Sequence, residues 1–158
     1  MPFMSAASGR FTLDTNLLVY ALDSAAGIRH QLSREMIQHA VRLDCWLTSQ
    51  AVSEFYAVVS RKRIVPPADA AAQATDWLEL FPCAAASESA VRTALADTAA
   101  GRASYWDALL LATAGEAGCV AILTEDLADG AELGGLRIHN PFAADGALTG
   151  PACRLLGL

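Results

Sequence analysis

The chain alternates between short, continuous apolar runs and longer stretches of helical periodicity. Residues 11–14 (FTLD) are the first apolar run and are expected as a strand. Residues 16–22 read as a short helix that ends near Asp23 and Ser24. Across 27–42, Ile28, Leu32, Met36, His39 and Ala40 recur at helical spacing, which predicts an amphipathic helix. A second short strand is expected at 45–48, with Ser49 capping a helix over 50–63 that Pro66 and Pro67 stop. Residues 68–80 predict another long helix, and 81–86 a weak strand. Ser87 is expected to cap a helix to 100, and Ser104 another to 117, with Gly118 in the terminating position. The run 119–124 is rich in β-branched and apolar residues and predicts a strand, as does 136–139 after the break at Gly134 and Gly135.

Strands that alternate with helices and are themselves continuous apolar runs imply a mainly parallel sheet covered on both faces, an α/β fold. The expected organisation is one domain over 11–140, a loose leader over 1–10 with Met4 as an alternative start, and a tail over 141–158 to which no role is assigned. No repeat or low-complexity linker divides it. In such sheets sites form at the carboxyl ends of the strands, where the loops gather.

Composition narrows the classes. At 158 residues, 54% hydrophobic and 18% charged, the chain is a single folded domain more apolar than most. Its mean hydropathy of +0.32 exceeds what one small core needs, so a buried partner surface is expected, a homodimer or a hetero-complex. No apolar stretch reaches a membrane span, and the first residues lack the pattern of a secretory signal. The cysteines Cys45, Cys83, Cys119 and Cys153 are far apart, which argues against zinc and fits a reducing cytoplasm. A formal charge of −6 argues against binding nucleic acid through a broad basic face, but leaves room for a nuclease whose metal ions handle phosphate charge.

Four acids then stand out. Asp14 ends the first strand, and Asp126 follows the strand of AILT in the phrase LTED. Glu54 shares a helical stripe with Ala51, Phe55 and Val58; Asp107 shares one with Ala103, Leu110, Leu111 and Ala114. A carboxylate on an apolar stripe needs a cation, because burying it alone costs several kcal/mol. No basic residue occupies either stripe. Oxygen ligands from clustered acids suit Mg2+ or Mn2+, which act on phosphodiesters. Each acid taken singly also reads as a bland feature: Asp14 and Asp126 as caps, Asp107 as a favourable first-turn charge. All four mapping to one edge of the sheet favours a site.

The phrases LDTNLLVYALD, TSQAVSEFYAVV, SYWDALLLATA and ILTEDLADG occur in this order over most of 11–139. In them the chain resembles the PIN-domain ribonucleases, in particular the VapC toxins of toxin–antitoxin pairs. The resemblance implies a three-layer α/β/α sandwich with a central, mainly parallel sheet, and a metal-dependent endoribonuclease using one or two Mg2+ or Mn2+ ions. It carries the acidic quartet onto Asp14, Glu54, Asp107 and Asp126, and neighbouring polar roles onto Asn16 and Thr124. Ser49 and Gln50 are expected to order the helix of Glu54, and Asp129 to serve as an outer fifth acid. It further implies an RNA substrate, a homodimer, and a VapB-like antitoxin that lies in a groove of the early helices.

Substrate grip is expected from Arg102 or from Arg61, Lys62 and Arg63, although the latter three read equally as a solvated helix end. Trp46, Trp77 and Trp106 are expected in core or interface, with Trp106 the one placed for base stacking. His30, His39 and His139 lack metal or nucleophile spacing. The competing readings are an RNA-processing nuclease that is not a toxin, a non-catalytic RNA-binding or scaffold module, and a phosphatase with Asp14 as nucleophile. Asn16 stands against the last, where a second acid is usual.

Overall fold

The structure is a computed structural model, and it describes residues 9–158. The first eight residues of the expected leader, with Met4, lie outside the described residues. Gly9 and Arg10 do not belong to a loose leader but to the domain. The Arg10 carbonyl accepts the Val120 N–H at 2.8 Å, and its guanidinium lies 4.4 Å over the Trp46 ring and pairs with Asp44 at 3.1 Å.

The strands are β1 (Phe11–Leu13), β2 (Leu47–Thr48), β3 (Cys83–Ala84), β4 (Ala121–Leu123), β5 (Glu132–Leu133) and β6 (Leu136–His139). The helices are α1 (Thr15–Leu22), α2 (Ile28–Ala40), α3 (Ser49–Arg61), α4 (Pro67–Leu80), α5 (Glu88–Ala99), α6 (Tyr105–Glu116) and α7 (Gly150–Leu156). One sheet runs β1-β4-β6-β5, parallel except for β5, and β2 pairs with β3 in parallel. A bridge between Phe11 and Cys45 joins the two sheets: the Trp46 N–H donates to the Phe11 carbonyl at 2.9 Å. The combined order is therefore β3-β2-β1-β4-β6-β5, inside a three-layer α/β/α fold.

The chain leaves β1 to build β2 and β3 on one side, then crosses to β4 on the other. That reversal makes the carboxyl ends of β1 and β4 the topological switch point, where the loops part and leave a crevice. The register puts Leu13 opposite Leu123, so Asp14 and Thr124 emerge at the same level.

Phe11, Leu13, Leu17, Phe55, Ile122 and Leu123 are fully buried in the main core. Phe55 meets Trp77 edge to face at 4.7 Å, which fixes α3 on α4. Helix α6 is buried on nearly every side. Leu110, Leu111 and Ala114 face the main core, while Ala108, Leu109 and Ala112 close a smaller cluster with Ala90 and Ala94 of α5. This all-round burial explains why its pattern is apolar without a clear stripe.

Three features differ from the sequence reading. Thr48, not Ser49, caps α3: its hydroxyl accepts the Ala51 N–H at 3.1 Å, and Ser49 is already helical. Gly134 and Gly135 (φ 61° and 82°) form a tight hairpin turn that creates β5, too short to register as a pattern. The tail holds α7, whose Ala152, Leu155 and Leu156 enter the main core beside α2.

Candidate active site

The site is built by the residues just beyond two strands and by the N-terminal halves of three helices. Asp14 caps α1: its Oδ1 accepts the Thr15 N–H at 2.7 Å. The fully buried Thr124, the residue after β4, donates its hydroxyl to Asp14 Oδ2 at 2.6 Å. Thr124 Oγ1 in turn accepts the Asp126 N–H at 3.1 Å, so one hydroxyl ties the ends of β1 and β4 together. Asn16 then donates its side-chain amide to Asp126. Asp126 is held by α1 and not used as a cap of the turn that follows it.

Thr15, between those two, was not singled out by the sequence, and it makes the third link. Its hydroxyl donates to Glu54 Oε2 at 3.1 Å from α1 to α3. Glu54 Oε1 accepts from Gln50 at 3.1 Å, and the same Gln50 amide reaches the Trp106 carbonyl of α6 at 2.9 Å. Next to it Ser104 caps α6 and donates to Asp107 Oδ2 at 2.8 Å. The phrase Asp14, Thr15, Asn16 thus reads as a cap, a bond to Glu54 and a bond to Asp126.

The charges are not neutralised by the protein itself. Among the described residues the five ion pairs involve none of Asp14, Glu54, Asp107 or Asp126. Burial pushes the Asp14 carboxyl up to about 6, against the opposing bonds from Thr124 and Thr15, and the charges of Asp126 and Asp107 push it further the same way. Asp126 is raised too, by burial first, then by Glu125 and Asp107. Asp14, Asp107 and Asp126 are therefore close enough to repel one another, whereas Glu54 joins them through Thr15. The donor set is all oxygen and lacks its own cation, which fits a hard divalent ion. Among the described residues no three acidic, histidine or cysteine side chains already converge on one point, so the acids are grouped without forming a closed cage.

A second polar cluster beside the first was also missed. Glu125 accepts from the Tyr20 hydroxyl and pairs with Arg29 at 3.0 Å. Arg29 in turn lies 5.0 Å over the Phe142 ring. The Tyr20 phenol is pushed up to about 12, by burial and then by Glu125. The signal in the sequence was the doublet Glu125-Asp126, of which only the second residue was weighed.

The remaining candidates fall elsewhere. Asp129 accepts the Asn140 N–H at 2.8 Å and fastens the loop after β6. Arg102 is paired with Asp97 at 2.8 Å. Arg61, Lys62 and Arg63 close α3 about 10 Å beyond Glu54 along the helix axis, exposed to solvent. Trp77 is core, Trp46 lies under Arg10, and Trp106 stands 61% exposed. Burial lowers the pKa of His139, and His30 Nδ1 contacts the Tyr20 carbonyl at 2.8 Å.

The acids lie at the switch point of the sheet, the place where open α/β sheets commonly hold ligands. The chain belongs to the PIN domain family, whose model matches residues 11–128. Among solved structures it is similar to VapC20 of Mycobacterium tuberculosis, a toxin that cleaves the sarcin–ricin loop. That match has a TM-score of 0.61 at 14% identity, over 73% of this chain and 89% of the other. VapBC2 of Rickettsia felis, solved on a DNA fragment from its promoter, gives a TM-score of 0.58 at 15% identity, over 82% and 97%. At these identities the likeness is one of fold. No curated protein matches the chain. Among the described residues no helix is long and apolar enough to cross a membrane.

Proposed function

We propose that this protein is a divalent-metal-dependent endoribonuclease, the toxin of a toxin–antitoxin pair. The observation that carries this reading is the group of acids at the switch point of β1 and β4. Among the described residues none of them has a protein cation, and burial and mutual repulsion raise Asp14 to about 6. Such a group is unstable alone and complete with a cation.

Asp14, Asp107 and Asp126 would hold Mg2+ or Mn2+, with Glu54 completing the set. Such an ion would supply Lewis acidity toward a phosphate oxygen and a lower pKa for water, which makes hydroxide available as the nucleophile near neutral pH. The protein's part is orientation. Thr124 and the Thr15 N–H fix both oxygens of Asp14, Asn16 fixes Asp126, and Ser104 fixes Asp107. Glu54 is steadied by Thr15 and Gln50, and one carboxylate of the group would orient the attacking water and take its proton.

The toxin part of the proposal rests on the likeness to the two toxin structures and on grooves among the early helices that mix apolar side chains with Arg34, Gln38 and Arg42. One is a channel of about 550 Å3 along α2 and α4, lined by Ile37, Val41, Trp77 and Leu80, and a smaller one of about 130 Å3 lies beside it at Leu22 and Gln73. These suit an amphipathic antitoxin segment. The exposed apolar side chains elsewhere fit a homodimer. Cytoplasmic action follows from this reading.

The direct test incubates structured and single-stranded RNA with wild type and Asp14→Asn, with Mg2+, Mn2+ or chelator. Cleavage by wild type with metal, lost with chelator and in Asp14→Asn, is the expected result; equal cleavage by both proteins removes the assignment. Induction in cells without the antitoxin separates toxin from processing nuclease. Arrested growth is expected of a toxin, and unimpaired growth leaves only the nuclease.

A further inference from the structure

Helix α6 begins with two aromatic residues, and the second is out of place for a core residue. The Trp106 indole is 61% exposed although Ala108 to Ala114 behind it are buried. It is not loose. Tyr105 meets it edge to face at 5.1 Å and 67°, and its carbonyl accepts from Gln50. The indole forms one wall of a groove of about 540 Å3 between the first turns of α3 and α6. Leu109 and Ala86 give the groove apolar lining, Ser49, Gln50 and Ser53 polar lining, and Glu54 a carboxylate.

We infer that this groove is a nucleobase subsite, in which Trp106 stacks on an unpaired base of the RNA next to the scissile phosphate. The inference rests on the nuclease reading and deepens it by placing a part of the substrate. Three features select a base over other occupants. No lysine or arginine lines the groove, so it does not hold a phosphate. The Glu54 carboxylate in its lining repels phosphate and acidic side chains, and leaves room for a neutral, planar group with donor edges. The groove is also continuous with the acids through Glu54 and Gln50, one step from where the backbone is cut. Single-stranded RNA is read by splaying bases onto aromatic side chains, with polar groups at the base edge. The size lies within the range of small-ligand pockets.

The experiment measures binding of short single-stranded oligoribonucleotides to Asp14→Asn protein, so that cleavage does not interfere. Tryptophan quenching and anisotropy give the affinity. Trp106→Ala and Trp106→Phe are added to that background, and thermal melts check that each variant is folded. The expected result is a loss of about tenfold in affinity for Trp106→Ala, with most of it retained in Trp106→Phe. An abasic residue at one position next to the cut should weaken binding to the parent by a similar factor and cause no further loss in Trp106→Ala. Unchanged affinity in Trp106→Ala, or abasic losses that add fully at every position, overturns the subsite. So does a change in sedimentation mass with constant RNA affinity, which makes the groove a contact between copies. The cleavage assay on wild type judges the nuclease reading independently of these binding data.

Discussion

Glu125 and Asp126 are adjacent in the chain just beyond β4, yet they enter opposite surroundings. Glu125 turns toward Tyr20 and Arg29, receives a hydroxyl and pairs with a guanidinium, and that guanidinium rests on Phe142. Asp126 turns toward Asn16 and the other acids and receives only neutral donors, with its carboxyl raised. One cluster is closed by the protein's own cation and is a structural fastening of α1, α2 and β4. The other has no protein cation among the described residues, and its carboxyls are raised instead. The two acids differ in surroundings as well as in exposure, Glu125 being half-buried and Asp126 exposed.

The contrast is broken most severely by Asp14→Asn. RNA cleavage should fall by about 100- to 1000-fold, while melting shows a fold at least as stable as wild type. A smaller effect separates the clusters by ligand. Mn2+ at a hundred times its dissociation constant should stabilise wild type by about 2.7 kcal/mol, read as a rise in urea midpoint, and leave Asp14→Asn unmoved. An equal rise in both proteins would place the ion elsewhere.

A third effect comes from protonation in metal-free protein. The folded Asp14 carboxyl titrates near 6 and the unfolded one near 3.8. Between those values the folded state holds a proton that the unfolded chain has released, so stability falls as pH rises through that window. The loss should be on the order of 3 kcal/mol, and Asp126 adds in the same direction. Urea melts with chelator from pH 4 to 7 should show Asp14→Asn gaining on wild type across the window; parallel curves would remove the role of Asp14. The smallest effect lies in the closed cluster. Arg29→Ala should lower stability by about 1 kcal/mol, since the pair with Glu125 is partly exposed, without abolishing Mn2+ binding.

Much of this was legible in the chain. Asp14 and Asp126 were readable because each follows a short apolar strand, and parallel strands deliver their next residues to one edge. Glu54 was readable because a carboxylate on an apolar stripe conflicts with its surroundings, and Asp107 because it opens a helix that is apolar nearly all round. What was hidden depends on short or long-range geometry. The two-residue strand β5 and the seven-residue α7 are too short for a period to show. Thr48 rather than Ser49 caps α3 because the end of β2 falls there, a choice between adjacent hydroxyls that the pattern leaves open. Arg29 was hidden because its partner lies 96 positions away.

By itself the sequence determined the layered α/β plan and marked four acids as candidates, since both follow from local periodicity and from the cost of a carboxylate on an apolar face. Tertiary structure alone decided which acids share a field, that Thr15 carries Glu54 to them, and that Arg29 neutralises Glu125 but not Asp126. Those are matters of distance across the β1–β4 crevice. Electrostatic coupling depends on separation in space and on the water excluded between groups, and neither is written in the order of residues.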